Sequence, residues 1–526
     1  MLTFPFPKNS MLNSVKKILN QTLMSLESSR GFLSLSILLC LYTFVGLYFM
    51  SNFERANDDW EHLAAMKSFA EAPLHPTHPY SFDTEYSHLF TPYHFFWGIV
   101  SKILNISPFF LSPFIGLINV LIFILSVQIF ASKFLKDSNL ASILLLTLMF
   151  LWFLAPGFSG YYQFSHLLKT AIYPYRLAFS LSLLTLALYP IVTSHKRNLL
   201  LLSLIPLIFL IHPLSGLFLI ITLTVKMWYS KELSKNGRII LITTSVLTLI
   251  LATFWPFYPV FSTILDIASF SKVSFAGQFR EFYQGQFLYC IVPAIPGLYF
   301  LVKYFRVDQR IRTIGIAMFI FLFIYLFNFI VTESAALGRV IVYIAFTLQI
   351  LVVIGIGCHE ETKRQTIKNL FYLSLCILAL PQLYMSYKSL SFMRDIKNSK
   401  SLGYYSNFNH VKRLEPLTVK IQQNSILIAP VDESWILPSL TGAKVLAIKH
   451  SDPFVDHQKF QERNLVNEQF YTQDCDPTIL KTQNITFDYV LIPKGKAFLK
   501  LQEAYPELQI IYADSSYTLL KKVSKL

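Results

Sequence analysis

Residues 31–50 read GFLSLSILLCLYTFVGLYFM, and residues 57–62 read NDDWEH. The first stretch is twenty residues without a charge, long enough for a straight helix to cross a bilayer. It is too long for the apolar part of a cleaved leader and lacks a small-residue cleavage site, so it reads as an uncleaved span. The second stretch places three carboxylates and an imidazole in six positions, in a chain only 14% charged. Acid this concentrated, directly after a span, marks a candidate chemical centre at the membrane surface.

Composition sets the class. The chain has 526 residues, 54% of them hydrophobic, with 48 Phe and 28 Tyr, and a mean hydropathy of +0.48. Soluble domains carry roughly 25% charged residues. This chain has too much apolar surface to bury in water, so most of it reads as a polytopic α-helical membrane protein. The net charge of +15 has a topological source, because basic residues hold loops in the cytoplasm. No soluble basic module is visible, which excludes a nucleic-acid partner. Cys40, Cys290, Cys358, Cys376 and Cys475 form neither a CxxC pair nor a disulfide framework.

Eleven uncharged runs are long or apolar enough to be spans: 31–50, 108–131, 140–155, 177–193, 199–211, 214–225, 239–257, 287–302, 313–331, 340–357 and 370–387. The pair flanking His212-Pro213 is short and reads as a tilted or re-entrant hairpin. With the N-terminus inside, cytoplasmic segments up to residue 387 hold nineteen Lys and Arg, and outer loops hold eight. That asymmetry is what orientation requires. It puts 57–62 and everything after 387 outside, in the arrangement of a multi-pass protein of the bacterial inner membrane.

The expected organisation is therefore a transmembrane domain, 1–387, with a first outer loop at about 51–107, and an extracytoplasmic α/β domain, 388–526. In the latter, 425–431, 444–449, 487–493, 508–513 and 517–523 read as strands. Helical stretches at 456–470, 477–481 and 497–505 between them predict a mostly parallel sheet. Asp432, Glu433, Trp435, His450 and Asp452 follow strand ends, where α/β sheets place ligands. The expected role of this domain is accessory.

The first outer loop holds five of the twelve histidines, His62, His75, His78, His88 and His94. Residues 58–72 read as a helix with Asp58 as N-cap and Glu61 completing a capping box. Trp60, Leu63, Ala64 and Phe69 are expected to face the membrane surface, and 90–106 to form a second, interfacial helix. A cap needs one acid, yet Asp58 and Asp59 are both present. A carboxylate at a helix N-terminus keeps its charge, which suits a general base for a glycosyl acceptor or a ligand for a divalent cation such as Mg or Mn. Asp59 and His62, with His75 and His78, are the metal candidates.

This layout, with Asp58-Asp59-Trp60-Glu61-His62-Leu63 opening the outer loop, resembles the GT-C superfamily of glycosyltransferases. Its nearest likeness is to bacterial GT-C-like proteins with a D-D-[WY]-x-H-L pattern. The resemblance implies a GT-C-like fold and a polyprenyl-phosphate sugar as donor. It also implies inversion at the anomeric carbon, and an acid of the first outer loop, here Asp58 or Asp59, as base or metal ligand. No WWDxG-like motif is present, so the likeness does not extend to oligosaccharyltransferase proper.

A lipid-phosphate donor needs cations on the outer side. Arg339, in a short loop between spans, is the first candidate, with Arg176, Lys169 and Arg280 behind it. His212 at the hairpin tip and His62 are further substrate-binding candidates, and Tyr161, Tyr162, Tyr173 and Tyr175 fit either stacking on sugars or an interfacial aromatic belt. The partners expected are membrane lipid, a lipid-linked sugar donor, and a glycan, lipid or protein acceptor. A lipid-linked glycan flippase is the rival from another class, but it predicts charges buried mid-span, and the runs above carry almost none. A non-catalytic scaffold of the same fold is the other alternative.

Overall fold

The computed structural model describes residues 30–51, 57–153, 162–189, 195–229, scattered positions from 243 to 260, 283, 285–332, 334–358, 361–395, 413–448, 452, 455–496 and 498–523. Tyr161, Arg280, His450 and about half of the run 239–257 lie outside the described residues.

Most elements are helices. Four are long and apolar enough to cross a membrane: Arg30–Tyr48, Pro108–Lys133, Gln309–Val331 and Asn369–Tyr387. Two bent pairs raise the number to six among the described residues. These are Phe164–Thr170 with Pro174–Leu188, bent by 116°, and Gln286–Ala294 with Pro296–Tyr304, bent by 48°. Shorter apolar helices span Leu140–Phe150, Pro213–Tyr229 and Ile341–Gly357. Large apolar side chains such as Leu38, Ile103, Phe323 and Leu380 point outward and are exposed, as contact with lipid tails demands. The chain is a multi-pass membrane protein.

The helix Ile341–Gly357 forms the hub. It is apolar all round and buried from Ile341 to Ile356, the signature of a helix with neighbours on every side. Pro296–Tyr304, Gln309–Phe327 and Leu140–Phe150 pack on it. Gly297 makes the first contact intimate, since a Cβ there would lie 2.4 Å from the Leu348 carbonyl oxygen, and small residues are what let apolar helices approach. Gln349 is buried in the hub and donates to the Leu151 carbonyl at 2.9 Å, so its burial does not leave the amide nitrogen unsatisfied.

The first loop folds over this bundle as two packed helices, Asn57–Glu71 and Pro92–Leu104. The first begins one residue before the expected cap, which puts Asp58 and Asp59 inside its first turn. Its apolar face does not meet the membrane surface. Trp60, Leu63, Ala64 and Phe69 are buried in protein, because Trp60 stacks on Phe109 at 5.8 Å and Phe69 is ringed by Phe90, Phe95 and Phe257. Such aromatic contacts add about 0.5–1.5 kcal/mol each beyond burial, more than lipid offers the same rings. The Pro92–Leu104 helix does turn Phe96, Ile103 and Leu104 outward.

The C-terminal strands are β1 (Ile426–Ile428), β2 (Lys444–Val445), β3 (Tyr489–Pro493), β4 (Leu508–Ala513) and β5 (Tyr517–Lys522), in the order β2-β1-β3-β5-β4. Pairs β1–β2 and β1–β3 are parallel, but β3–β5 and β4–β5 are antiparallel. The sheet is thus mixed rather than mostly parallel. The reason is local. Three residues join β4 to β5, with Asp514 Oδ1 accepting from the backbone N–H groups of Ser516 and Tyr517 at 2.6 and 2.7 Å. A parallel crossover needs about a dozen residues. The first strand also stops short of its expected end, because Pro430 opens a helix, Val431–Thr441.

That helix docks on Asn57–Glu71, and the segment 77–88 is strapped to the sheet. The Val445 N–H donates to the Tyr80 carbonyl at 2.9 Å. Tyr80 donates its hydroxyl to the Trp435 carbonyl at 3.2 Å. Buried Lys444 donates to Thr77 Oγ1 at 2.7 Å and to the His78 carbonyl. Arg463 pairs with Asp83 and lies over Phe82.

Candidate active site at the first-loop helix

The start of the Asn57–Glu71 helix supplies Asp58, Asp59, Glu61 and His62. Adjacent helical positions point about 100° apart, so the two aspartates face different ways. Asp59 is buried, 1% exposed, and its charge acts on Tyr93 and on Tyr173. Asp58 is only half-buried. Its charge acts on Tyr80, Tyr173 and Arg339.

Arg339 stands just before the hub helix and is exposed, although protein groups surround it. Its Nε donates to the Tyr283 hydroxyl at 3.0 Å. Tyr283 foremost, then Asp58 and Tyr343, favour its charged form. The guanidinium is thus accessible and electrostatically coupled to Asp58. The same cation acts on His212 and on His88. Sequence reasoning placed Asp58, Arg339 and His212 on one face, and the structure brings them together.

His62, one turn on from Asp58, ties this helix to the second loop helix. Its Nδ1 lies 2.9 Å from His94 Nε2, and the Tyr173 ring meets it edge-on at 4.7 Å. His94 Nδ1 in turn lies 2.9 Å from Thr91 Oγ1. Burial, then the nearby His88 and His212, push His62 down to about 3, and burial with His62 and His88 holds His94 well below its ordinary value. Both rings are therefore neutral at physiological pH, one donating to the other. From Tyr173 the wall continues through Tyr175, 6.0 Å away, to His212, a further 6.0 Å. His212 Nδ1 accepts from the Ser215 N–H at 3.2 Å and lies 2.9 Å from Ser215 Oγ, which meets the Tyr343 hydroxyl at 2.9 Å.

Arg176 and Lys169 sit elsewhere. Arg176 is 2% exposed. Its guanidinium stacks over Tyr162 at 4.3 Å and Tyr175 at 5.4 Å, and Nε and Nη2 donate to Thr170 Oγ1 at 3.1 and 2.6 Å. It is thus one aromatic layer behind His212. Lys169 is exposed and acts on His166. Tyr162 donates to the Arg176 carbonyl and stacks on Phe123, so it is a core residue.

Two members of the acidic and aromatic cluster near the C-terminal sheet, Trp435 and Glu433, are core residues. Trp435 is buried, and buried Glu433 accepts from the Tyr517 hydroxyl at 2.8 Å. Asp452 instead reaches the first loop. Its Oδ2 accepts from Ser87 Oγ at 2.6 Å and lies 2.9 Å from His88 Nδ1 and 3.3 Å from His78 Nε2. Burial raises the Asp452 carboxyl, but His88 and His78 overcome it and hold it well below the usual carboxylate range. Burial lowers His88, but the charge and hydrogen bond of Asp452, then Glu61, raise it overall. The sequence offered only an excess of loop histidines as a signal for this pairing.

His78 is committed to that contact and accepts from the N–H groups of Tyr80 and Ser81. Among the described residues no three His, Cys, Asp or Glu side chains come together as a metal-holding group, so Asp59, His62 and His78 do not converge on one ion.

A half-buried acid coupled to an accessible arginine, beside a wall of tyrosine and histidine rings, defines a class: a multi-pass membrane protein with a polar cluster next to its helical bundle. No protein-family model matches the chain, and no curated protein sequence matches it. Among solved structures it is similar to ArnT from Cupriavidus metallidurans, bound to undecaprenyl phosphate, at 12% identity and a TM-score of 0.50, covering 95% of this chain and 98% of the other. It is also similar to the Archaeoglobus fulgidus oligosaccharyltransferase, tethered with an acceptor peptide, at 14% identity and a TM-score of 0.48, covering 94% and 74%. The fold is GT-C.

Proposed function

We propose that this protein transfers a sugar from a polyprenyl-phosphate donor to a glycan, lipid or protein acceptor at the extracytoplasmic face of a bacterial inner membrane. The observation that carries this reading is the pairing by charge of half-buried Asp58 with exposed Arg339, beside the ring wall of His62, Tyr173, Tyr175 and His212. The structurally similar ArnT, which holds undecaprenyl phosphate, supports the donor class.

The chemistry needs one base and one anion site. Asp58 takes the proton of the acceptor hydroxyl. The freed oxygen bonds to the anomeric carbon opposite the phosphate. The bond from that carbon to the phosphate oxygen breaks, the electron pair leaves with the phosphate, and configuration inverts. Arg339 neutralises the charge that develops there, as a planar guanidinium does for phosphate. Positioned base catalysis contributes about 10²–10⁴ in rate. Asp59, buried against Tyr93 and Tyr173, orders the helix that presents Asp58. Tyr173 and Tyr175 line the sugar, and His62 and His212 fix that wall. Buried Arg176 braces that wall from behind through Tyr175. For a divalent cation, Asp58, Asp59 and His62 are the residues available. They do not assemble a ligand set among the described residues, so the mechanism uses the protein's own groups.

The test is sugar release from a radiolabelled polyprenyl-phosphate sugar by the purified full chain in lipid nanodiscs. Transfer by the wild type and its loss in Asp58→Asn and Arg339→Ala are expected. Wild-type transfer rates in Asp58→Asn would sink the assignment.

A further inference from the structure

We infer that a cleft where the first loop meets the C-terminal sheet region is a binding site for an uncharged glycan segment. The transfer reading above makes that glycan the acceptor, and the acceptor role rests on that reading. The cleft has a volume of about 260 Å³, close to the lower end of ligand pockets at about 300–1,000 Å³. A short run of sugar rings suits that size.

Three pieces of chain build it. The floor is apolar and consists of Phe82 from the first loop, Val466 from the His457–Thr472 helix, and Ile485. All three belong to the edge of the C-terminal core. Arg463 holds Phe82 in place, with its guanidinium 4.1 Å over the ring and paired with Asp83. The rim is polar, with Lys459 and Glu462 on the helix side and Gln483, Asn484 and Thr486 on the loop side. That loop is a helix C-cap. The helix Pro477–Thr482 is followed by Asn484 in the left-handed region, at φ 48°. The Asn484 and Ile485 N–H groups donate to the Lys481 and Leu480 carbonyls at 3.1 and 3.0 Å. A cap of this kind fixes the turn. It sends Ile485 toward the core and leaves Gln483 and Asn484 exposed, with their side-chain amides unpartnered among the described residues.

The lining selects the ligand. Asp83 neutralises Arg463, and the other two ions of the rim, Lys459 and Glu462, have opposite signs. Neither an anion nor a cation gains overall from such a rim. Each amide offers a donor and an acceptor together, and the Thr486 hydroxyl does the same. Sugar hydroxyls are likewise donor and acceptor at once, and the C–H face of a sugar ring matches an apolar floor. An extended peptide gains most by adding to a free strand edge. The strand that follows Thr486, β3, is already paired on both sides, by β1 and β5. Phe82 also belongs to the loop that carries Asp58, so a glycan held here is held in part by the segment that bears the base.

The test is saturation-transfer NMR on the full chain in lipid nanodiscs. The probes are maltotriose and tri-N-acetylchitotriose, with trigalacturonate as the charged control and trialanine as the peptide control. Saturation of a neutral trisaccharide is expected, with none of either control. Gln483→Ala and Asn484→Gly together should weaken that binding by about tenfold with the unfolding midpoint unchanged, since glycine keeps the left-handed backbone. Glu468→Gln, on the same helix as Lys459 but outside the cleft, should bind like the wild type. With the bound trisaccharide as acceptor, the double variant should raise its KM and keep kcat. If neither trisaccharide binds, or the double variant binds as the wild type does, the cleft is overturned, and the donor reading stands on its own assay of sugar release. Equal saturation of trigalacturonate or trialanine overturns the neutral-glycan assignment. Binding that the double variant loses, in a protein that releases no sugar from the donor, supports the cleft and overturns the transfer reading and the acceptor role with it.

Discussion

His62 Nδ1 and His94 Nε2 lie 2.9 Å apart, and neither ring is charged at physiological pH. The bond joins the two helices of the first loop and depends on exactly one of the two nitrogens carrying a proton, so acid should break it. The His62 folded-state pKa lies near 3, below an unfolded value of roughly 6.5. The unfolded chain therefore binds more protons between these values, and stability is full above the upper one and falls as pH drops through the window. From pH 6.5 to pH 5 the loss is up to about 2 kcal/mol. Thermal unfolding in nanodiscs should show a lower midpoint at pH 5 than at pH 7. His62→Gln should narrow that difference, and an unchanged difference would refute the assignment.

The aspartates should separate by readout. Asp58 is half-buried beside Arg339, and Asp59 is buried. Asp58→Asn is expected to lower turnover by about 10²–10⁴ with the unfolding midpoint unchanged. Asp59→Asn should lower the midpoint and leave turnover within about tenfold of the wild type, a smaller loss than a base would show. Paired turnover and unfolding measurements decide it, and the reverse pattern would exchange the two roles.

What the sequence made legible follows the range of each force. The spans 31–50, 108–131 and 313–331 could be read because the bilayer makes each one self-sufficient, and helices form there. The acids at 58 and 59 could be read because charge is scarce. The side chain that anchors His88 could not, since Ser87 and Asp452 are 365 positions apart in the chain and neither carries a pattern. The burial of Trp60 and Phe69 was misjudged for a related reason. Apolar periodicity reports that a face is covered, and lipid and protein leave the same pattern. Arg176 looked like a surface cation because its aromatic shield, Tyr162 and Tyr175, read equally well as an interfacial belt.

Arg176 should prove to be a stability residue first. It is buried, held by two hydrogen bonds to Thr170 and stacked on two rings. Desolvated cation–π contacts are worth about 2 kcal/mol, and hydrogen bonds from a charged donor about 1.5–3 kcal/mol. Arg176→Met should lower the unfolding midpoint by several degrees and leave the KM for the lipid donor unchanged. A raised KM with an unchanged midpoint would instead assign it to phosphate binding.

Gly98 should be as sensitive as any polar residue of the site. It lies where the helices Asn57–Glu71 and Pro92–Leu104 cross. A Cβ there would sit 2.5 Å from the Phe69 Cβ and 2.8 Å from the Met66 carbonyl oxygen. The carbonyl is backbone and cannot swing aside, so alanine must push the helices apart. Overpacking of this kind costs about 1–3 kcal/mol. It also lengthens the His62–His94 contact, which joins the same two helices. Gly98→Ala should therefore lose both stability and transfer, and its unfolding midpoint should change less between pH 7 and pH 5 than the wild type's. Gly216 provides the comparison. A Cβ there would crowd Phe209, with its nearest atom the Phe209 Cα at 2.6 Å, on the hairpin that carries His212 rather than in the first loop. Gly216→Ala should also destabilise, but with the wild-type pH dependence intact, because the histidine pair is untouched.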